Sequence, residues 1–309
     1  MRKLLLLAYL FINTAVKAQP FIDVATVQYG NCGISDLYKG EDEWRIKNDW
    51  LNASLTLPFN IGMHDYLVVN PEYNRKKFYD GVSNHIYGNS GNVSIEGTTK
   101  YESTYQSILL PVSYLHTLSD TTKNIVFCYI YRQNYSDILK LGWTTDQHGG
   151  AIIYSNSASS KFTWKAGLYY NREFYGNYFL PLLGFEWKPN EKIYCWGLLP
   201  NNTSIDYTIV APLHIGFAYQ GVEESYAEGY NDYFHLTEGQ IQLYSNYYIP
   251  HTPLVLSFEA GQTAARTFEY FRVTPNGDAT TKTHPSEGFF IRGGIALRVV
   301  TDKRFRTRL

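Results

Sequence analysis

Between Thr203 and Gly221 the chain alternates with a period of two. Ile205, Tyr207, Ile209, Ala211, Leu213, Ile215, Phe217 and Tyr219 occupy one set of positions, and Asp206, Thr208, His214, Gly216 and Gln220 the other. Successive side chains of an extended strand point to opposite faces, so this pattern predicts a strand with one apolar face and one small or polar face. Read as a single strand it is long, since soluble strands usually run about 5–6 residues. The alternation recurs clearly at Leu51–Phe59, Phe162–Tyr170 and Phe289–Val299. It recurs more weakly at Asp65–Asn70, Thr104–His116, Asn124–Arg132, Ala151–Asn156, Tyr178–Lys188, Lys192–Leu199, Leu236–Tyr248 and Thr252–Thr263, with a first strand near Phe21–Tyr29. Because pattern places single strands loosely, the expectation is an all-β, antiparallel, up-and-down transmembrane barrel of roughly 12 strands, within a range of roughly 10–14. Pro58, Pro111 and Pro212 interrupt strand patterns, and proline cannot donate to a ladder, so each predicts a bulge or an exit from the sheet.

The connections fall into two kinds. Pro189-Asn190-Glu191, Ser157–Ser160 and Pro250–His251 are short, whereas Arg75–Gly91, Gln133–Gly150, Val222–Tyr233 and Arg266–Glu287 are long and polar. Short turns at one end and long loops at the other are the habit of outer-membrane barrels. In hydrocarbon every backbone N–H and C=O needs a protein partner, and only helices and closed sheets supply one. No helical periodicity is visible, which leaves the closed sheet.

Composition sharpens this reading. The chain has 28 Tyr, 17 Phe, 6 Trp and 24 Gly. Tyr and Trp collect where strands meet a lipid–water interface, because their rings are apolar and their polar tips seek water. The segment FEWKPNEKIYCWGLLP (185–200) places Phe185, Trp187, Tyr194 and Trp196 beside a turn, as an aromatic girdle would. A secreted β-sandwich would use the same aromatics in its core, but it accounts for neither the strand lengths nor the number of tyrosines.

The start of the chain, MRKLLLLAYLFINTAVKA, has a basic opening, an apolar run and small residues at Val16 and Ala18. It predicts a signal peptide over 1–18, cleaved after Ala18, and one barrel domain over 19–309. The net charge of −1 excludes a strongly basic nucleic-acid binder. Cys32, Cys128 and Cys195 are too few for a disulfide scaffold. Cys128 and Cys195 fall in strand patterns, as small buried or lipid-facing residues.

The segment LPLLGFEWKPNEKIYCWGLLPNNTSIDYTI (180–209) carries Leu180-Pro181, a Trp187-x-Pro189 turn, Trp196-Gly197, Leu199-Pro200 and Tyr207. It resembles the central signature of a family of Gram-negative, Bacteroidota-type outer-membrane β-barrels without an agreed activity. The resemblance implies a barrel in the outer membrane, with membrane lipid and the barrel-assembly machinery as partners, and it transfers no catalytic residue. Such chains often end on an aromatic residue. This one ends DKRFRTRL, a basic tail in which Phe305 is the available aromatic.

Candidate chemistry lies on the polar face. Asp206, His214, Glu238, Gln240, Gln242, Glu259, Arg292 and Arg298 are expected to line the lumen, either paired in a hydrogen-bonded network or ringing a selective channel. Asp146-x-His148 would put a carboxylate and an imidazole on one face, without a nucleophile at a distinctive spacing. Glu223, Glu224, Glu228 and Asp232 offer hard oxygen ligands for Ca²⁺, or a solvated outer loop. No catalytic, cofactor or metal residue is assigned. The leading expectation is a passive or selective pore for small solutes. A barrel enzyme acting on lipid or envelope polymer, and a structural or adhesive barrel, are the alternatives.

Overall fold

The period-two segments fold as strands, and the strands close on themselves. The computed structural model describes residues 21–39, 42–80, 102–137, 139, 145–229, 232–274 and 277–300. The expected signal peptide at 1–18, most of the loop predicted over Arg75–Gly91, and the tail with Phe305 lie outside the described residues. In chain order the elements are β1 (Phe21–Lys39), β2 (Asp42–Leu55), β3 (Leu57–Asn60), β4 (Asp65–Val69), β5 (Glu72–Asp80) and β6 (Glu102–Thr117). Then come β7 (Lys123–Ser136), β8 (Asp146–Ser159), β9 (Phe162–Glu173), β10 (Gly176–Trp187), β11 (Ile193–Leu199) and β12 (Asn202–Val210). The last are β13 (Leu213–Ala227), β14 (Tyr233–Tyr248), β15 (Leu254–Thr274), β16 (Gly277–Thr283) and β17 (Phe289–Val300).

Three of these divisions are interruptions within one wall strand. β2 and β3 together face β5 and β4, which in turn both face β6. β16 and β17 both face β15. Antiparallel pairing runs from neighbour to neighbour, and β1 closes the ring on β17, from Phe21↔Val300 to Cys32↔Phe290. The molecule is a closed antiparallel barrel of fourteen strands.

Fourteen corrects the expected number of roughly 12, and one error explains much of the difference. Thr203–Gly221 is two strands, β12 and β13, joined by a turn at Ala211-Pro212. Across that hairpin Tyr207 pairs with Ile215 and Ile205 with Phe217. Both partners are odd-numbered, so the apolar face passes through the turn without a change of phase, and alternation cannot see the turn. Pro212 marks it, as a residue that cannot continue a ladder.

The predicted long loops are also shorter than expected, because strand continues into them: Arg75–Asp80, Gln133–Ser136, Val222–Ala227 and Arg266–Thr274 all belong to strands. Two other prolines sit where a donor is dispensable. Pro111 lies opposite the break between β4 and β5, where its carbonyl accepts from Asn70 N at 3.0 Å. Pro181 lies where β10 has outrun β11, whose pairing begins at Leu183.

The faces are inverted relative to a soluble barrel. Val27, Leu55, Ile152, Leu183, Ile205, Leu243, Phe258 and Ile291 are exposed on the outside. Buried inside are Asn48, Lys76, Asn134, Glu173, Glu186, Asp206, Glu238, Arg266 and Arg298. Among the described residues no helix is long and apolar enough to cross a membrane.

Candidate functional site in the barrel lumen

The end of the barrel that carries Phe21 and Val300, the near end, holds a chain of hydrogen bonds and one ring contact that runs from β1 to β12. Arg298 grips Asp23 through Nε and Nη2, at 2.5 and 2.8 Å, and donates from Nη1 to the Tyr248 hydroxyl at 2.9 Å. The Tyr248 ring lies 4.8 Å from the imidazole of His214. His214 Nδ1 is 2.8 Å from Asp206, whose second oxygen accepts from Tyr244, and Tyr244 meets Ser204 at 2.9 Å. Buried charges require this pairing, since an unpaired one costs several kcal/mol. A glycine makes room for it: a Cβ on Gly216 would stand 2.2 Å from the Tyr244 ring.

Further along the axis lies a cavity of about 340 Å³ between β1, β2, β5, β13, β14, β15 and β17. Three ion pairs stand in its wall: Lys76 with Glu224, Arg266 with Glu238 at 2.9 Å, and Arg292 with Glu259 at 3.7 Å. Amides fill the spaces between them. Asn52 and Asn74 both donate to Glu72, Gln28 donates to Glu259 at 3.0 Å, and Arg292 donates to Gln240 and Gln242. The Arg292 guanidinium lies over both Trp50 and Phe290. Its stem crosses Gly30, where a Cβ would stand 2.2 Å from Arg292 Cγ.

At the far end the wall turns apolar in a single step. Two residues along each strand, Lys76 gives way to Phe78, Glu224 to Tyr226, Glu238 to Leu236 and Arg266 to Phe268. These four apolar side chains, with Tyr105 and Phe234, form one buried cluster that roofs the cavity. The rings pack edge-on, tilted or stacked, with centroids 4.6–6.4 Å apart. A bulge on β15 makes the roof possible. Ala264 to Thr267 on β15 stands against Gly239 to Thr237 on β14, one extra residue, and Ala265 takes a positive φ of 50°. The extra residue moves the inward positions from odd to even, and so aims Arg266 and Phe268 into the lumen.

The distal half of β13 is not wall. Beyond Gly221 it has outrun β12 and leans across the lumen, ending on a bridge to β7 at Ala227↔Tyr135. Ser225, Tyr226 and Ala227 are buried on both faces of the strand. Five other strands and a turn hold it. Lys76 of β5 meets Glu224, and the Tyr105 hydroxyl of β6 donates to Glu228 at 2.5 Å. Asn134 of β7 donates to the Ser225 carbonyl, Gln147 of β8 donates to Ser225 Oγ, and Ser225 Oγ donates to Glu173 of β9. Between β9 and β10, Phe174 N donates to Ser225 Oγ and Tyr175 donates to Glu223.

The sequence-predicted positions therefore separate. Asp206, His214 and Arg298 fall in the near-end chain, whereas Glu238, Gln240, Gln242, Glu259 and Arg292 fall around the cavity. Of the expected girdle, Phe185 and Trp187 lie on the outward face, and Trp187 is exposed. Tyr194 does not join them. It is buried and donates to Glu186 inside the barrel, and Trp196 shares its inward phase. The reason is register: Glu186 pairs with Trp196 and Trp187 with Cys195, so even positions of β11 face inward.

Glu223 and Glu224 belong to the inward-leaning strand rather than to a solvated loop. No group of three potential metal ligands occurs among the described residues. Asp146 accepts from Tyr131 and Gln133, and His148 meets Tyr129. All three cysteines are free. Sequence reasoning missed Asp23, Lys76, Arg132, Lys165, Glu173, Glu186 and Arg266. Lys165 and Glu186, an ion pair at 2.6 Å, were legible as polar positions in phase with their strands. Arg266 was not, because the β15 bulge resets the phase.

No protein-family model and no curated protein sequence matches the chain. Among solved structures it is similar to the COG4313 outer membrane channel from Pseudomonas putida F1, with a TM-score of 0.45 and 8% identity over 93% of this chain and 98% of that one. It is also similar to the P. putida toluene transporter TodX, with a TM-score of 0.40 and 8% identity over 90% of each chain. A Pseudomonas aeruginosa FadL homologue gives a TM-score of 0.37 and 10% identity over 90% of each chain. With TM-scores below 0.5, these likenesses carry no residue role and no substrate across.

Proposed function

We propose that this chain is an outer-membrane barrel that passes small solutes, held closed in this conformation by the inward-leaning half of the β13–β14 hairpin. The observation that carries the reading is the inversion of faces. An apolar band rings the outside of a closed sheet, far beyond the few hundred Å² a soluble monomer exposes, while charge and amide fill the inside. Lipid is the solvent that suits such a surface, and closure satisfies the backbone within it. The near end, with turns such as Ala211-Pro212, suits the periplasm, and the far end, toward which β13, β14 and β15 extend, suits the outside. Membrane lipid and the barrel-assembly machinery are then its partners. Fourteen strands stand between the roughly eight that side chains fill and the roughly 16–18 that leave an open channel, so an internal segment decides whether the lumen conducts.

The test is conductance in a planar bilayer. The wild type is expected to insert and stay nearly silent, with brief steps. A Tyr226→Ala, Phe234→Ala variant, which loosens the roof, is expected to give frequent stepwise currents. If both proteins insert and both remain silent, and vesicles containing the variant release no small solute, the passage reading fails.

A further inference from the structure

We propose that the 340 Å³ cavity binds a neutral polyhydroxylated solute of one or two sugar rings. The proposal rests on the passage reading only for how the solute arrives; the binding chemistry is the cavity's own. Its volume lies at the lower end of the roughly 300–1,000 Å³ common for small-ligand pockets.

The lining selects among solute classes. An apolar solute needs bare apolar wall, and here there is little. Trp50 and Phe290 are the aromatic walls, and Arg292 lies over both rings. An ionic solute needs an uncommitted counter-charge. Lys76, Arg266 and Arg292 each stand against a carboxylate in the same wall, so an anion would have to displace one. The fourth lining carboxylate, Glu72, has two amide donors, Asn52 and Asn74, in place of a cation, so its charge is already met by the wall. A hydroxyl-rich neutral solute meets neither obstacle. Hydroxyls both donate and accept, and Gln28, Asn48, Asn52, Asn74, Gln240 and Gln242 carry groups of both kinds. In their bonds to neighbours these amides use one or two of four hydrogen-bonding positions each. Planar amides and carboxylates at fixed angles would discriminate hydroxyl geometry, because a wrongly placed hydroxyl leaves a buried polar group unsatisfied.

Cys32 lines this cavity and provides the probe. In full-length protein carrying Cys128→Ser and Cys195→Ser it is the one remaining thiol of three. Alkylation by iodoacetamide is followed with glucose, maltose, glycine, benzoate or toluene present. The expected result is at least a threefold slowing by glucose or maltose and none by the others, with protection abolished by Gln242→Leu. Heat-modifiable migration on a gel establishes that each variant is folded. Calorimetric titration of the wild type with the same solutes gives a second readout if alkylation is slow. Protection by toluene, benzoate or glycine in place of the sugars overturns the proposal, as does a folded protein for which no sugar gives protection or heat. Sugar efflux from vesicles without sugar binding would overturn the cavity assignment and leave the passage reading standing. Binding without efflux from vesicles carrying the roof-loosened variant would do the reverse.

Discussion

Two neighbouring hairpins, β11–β12 and β13–β14, use the same alternating grammar to opposite ends. β11 and β12 are short, at 7 and 9 residues, and are wall from end to end. Ile205, Tyr207 and Ile209 face out, and Ser204, Asp206 and Thr208 face in and are buried. β13 and β14, at 15 and 16 residues, begin the same way, with Phe217 and Ile215 outward and His214 inward. Past Gly221 the β13 pattern stops describing an inside and an outside, because both sides of the strand meet protein. The difference follows from length. A strand that outruns its neighbour must either stand in solvent with an unpaired edge or find new partners, and β13 finds β7 and the side chains around it.

The largest effect expected from this contrast comes from removing a roof side chain. Phe234 is 1% exposed and contacts Phe78, Tyr105, Tyr226, Phe268 and Tyr270 by its ring. Phe234→Ala should cost about 3–5 kcal/mol, the usual range for emptying a buried aromatic site. If the hairpin is a unit separate from the wall, that cost is local. Amide exchange over Tyr233–Thr237 should then accelerate by two or more orders of magnitude, while the heat-modifiable migration of the barrel stays unchanged. Loss of the folded gel band together with hairpin protection would mean that roof and wall unfold as one.

The same contrast decides how much the sequence could show. Wall strands were legible because each obeys one period against one apolar environment: β9 and β17 appear in the sequence almost as they stand, and β12 appears as the first half of one longer run. The lumen residues of those strands, Asp206, Arg292 and Arg298, were legible for the same reason. The turn at Ala211-Pro212 was not, since an in-phase hairpin leaves alternation unbroken and only the proline betrays it. Arg266 and Phe268 were illegible for the opposite reason, a bulge that breaks phase within one strand. Tyr194 and Trp196 were misplaced because composition near a turn was given weight over register, and register belongs to the partner strand. The inward-leaning half of β13 was invisible. Its residues meet partners as distant in sequence as Lys76 and Asn134, and no local pattern encodes that.

A charge on the outer wall is the next way to sharpen the comparison. Ile205 is exposed near the middle of β12, whereas Ser204 and Asp206 beside it are buried. In a bilayer, Ile205→Lys should cost about 2–4 kcal/mol in unfolding from lipid vesicles, the scale for a lysine near the midplane on the lipid face. On a surface facing water the same change would stay within about 0.5 kcal/mol. A cost of that smaller size, measured by urea unfolding, would remove the membrane from the account of the outer face while leaving the lumen network untouched.

The smallest effect concerns a near-end turn between β6 and β7. Asp120 Oδ1 accepts from the Thr122 hydroxyl at 2.6 Å and from Thr122 N at 3.1 Å, and Oδ2 meets Lys123 at 2.9 Å. These bonds, the hydroxyl first, hold its carboxyl at about 2, below the ordinary 3.8. A carboxyl depressed in the folded state adds stability that is complete above its unfolded value and is lost as pH falls from about 3.8 toward 2. The carboxylate is open to water, so only the local turn should respond. Exchange of the Thr122 amide, and of the Lys123 amide that donates to the Asp120 carbonyl at 2.9 Å, should speed up across that window beyond the intrinsic pH trend. Asp120→Ala should show the fast behaviour at every pH and lose the inflection. An inflection that persists in the variant would assign it to another carboxylate and leave the Asp120 side chain without a part in holding this turn.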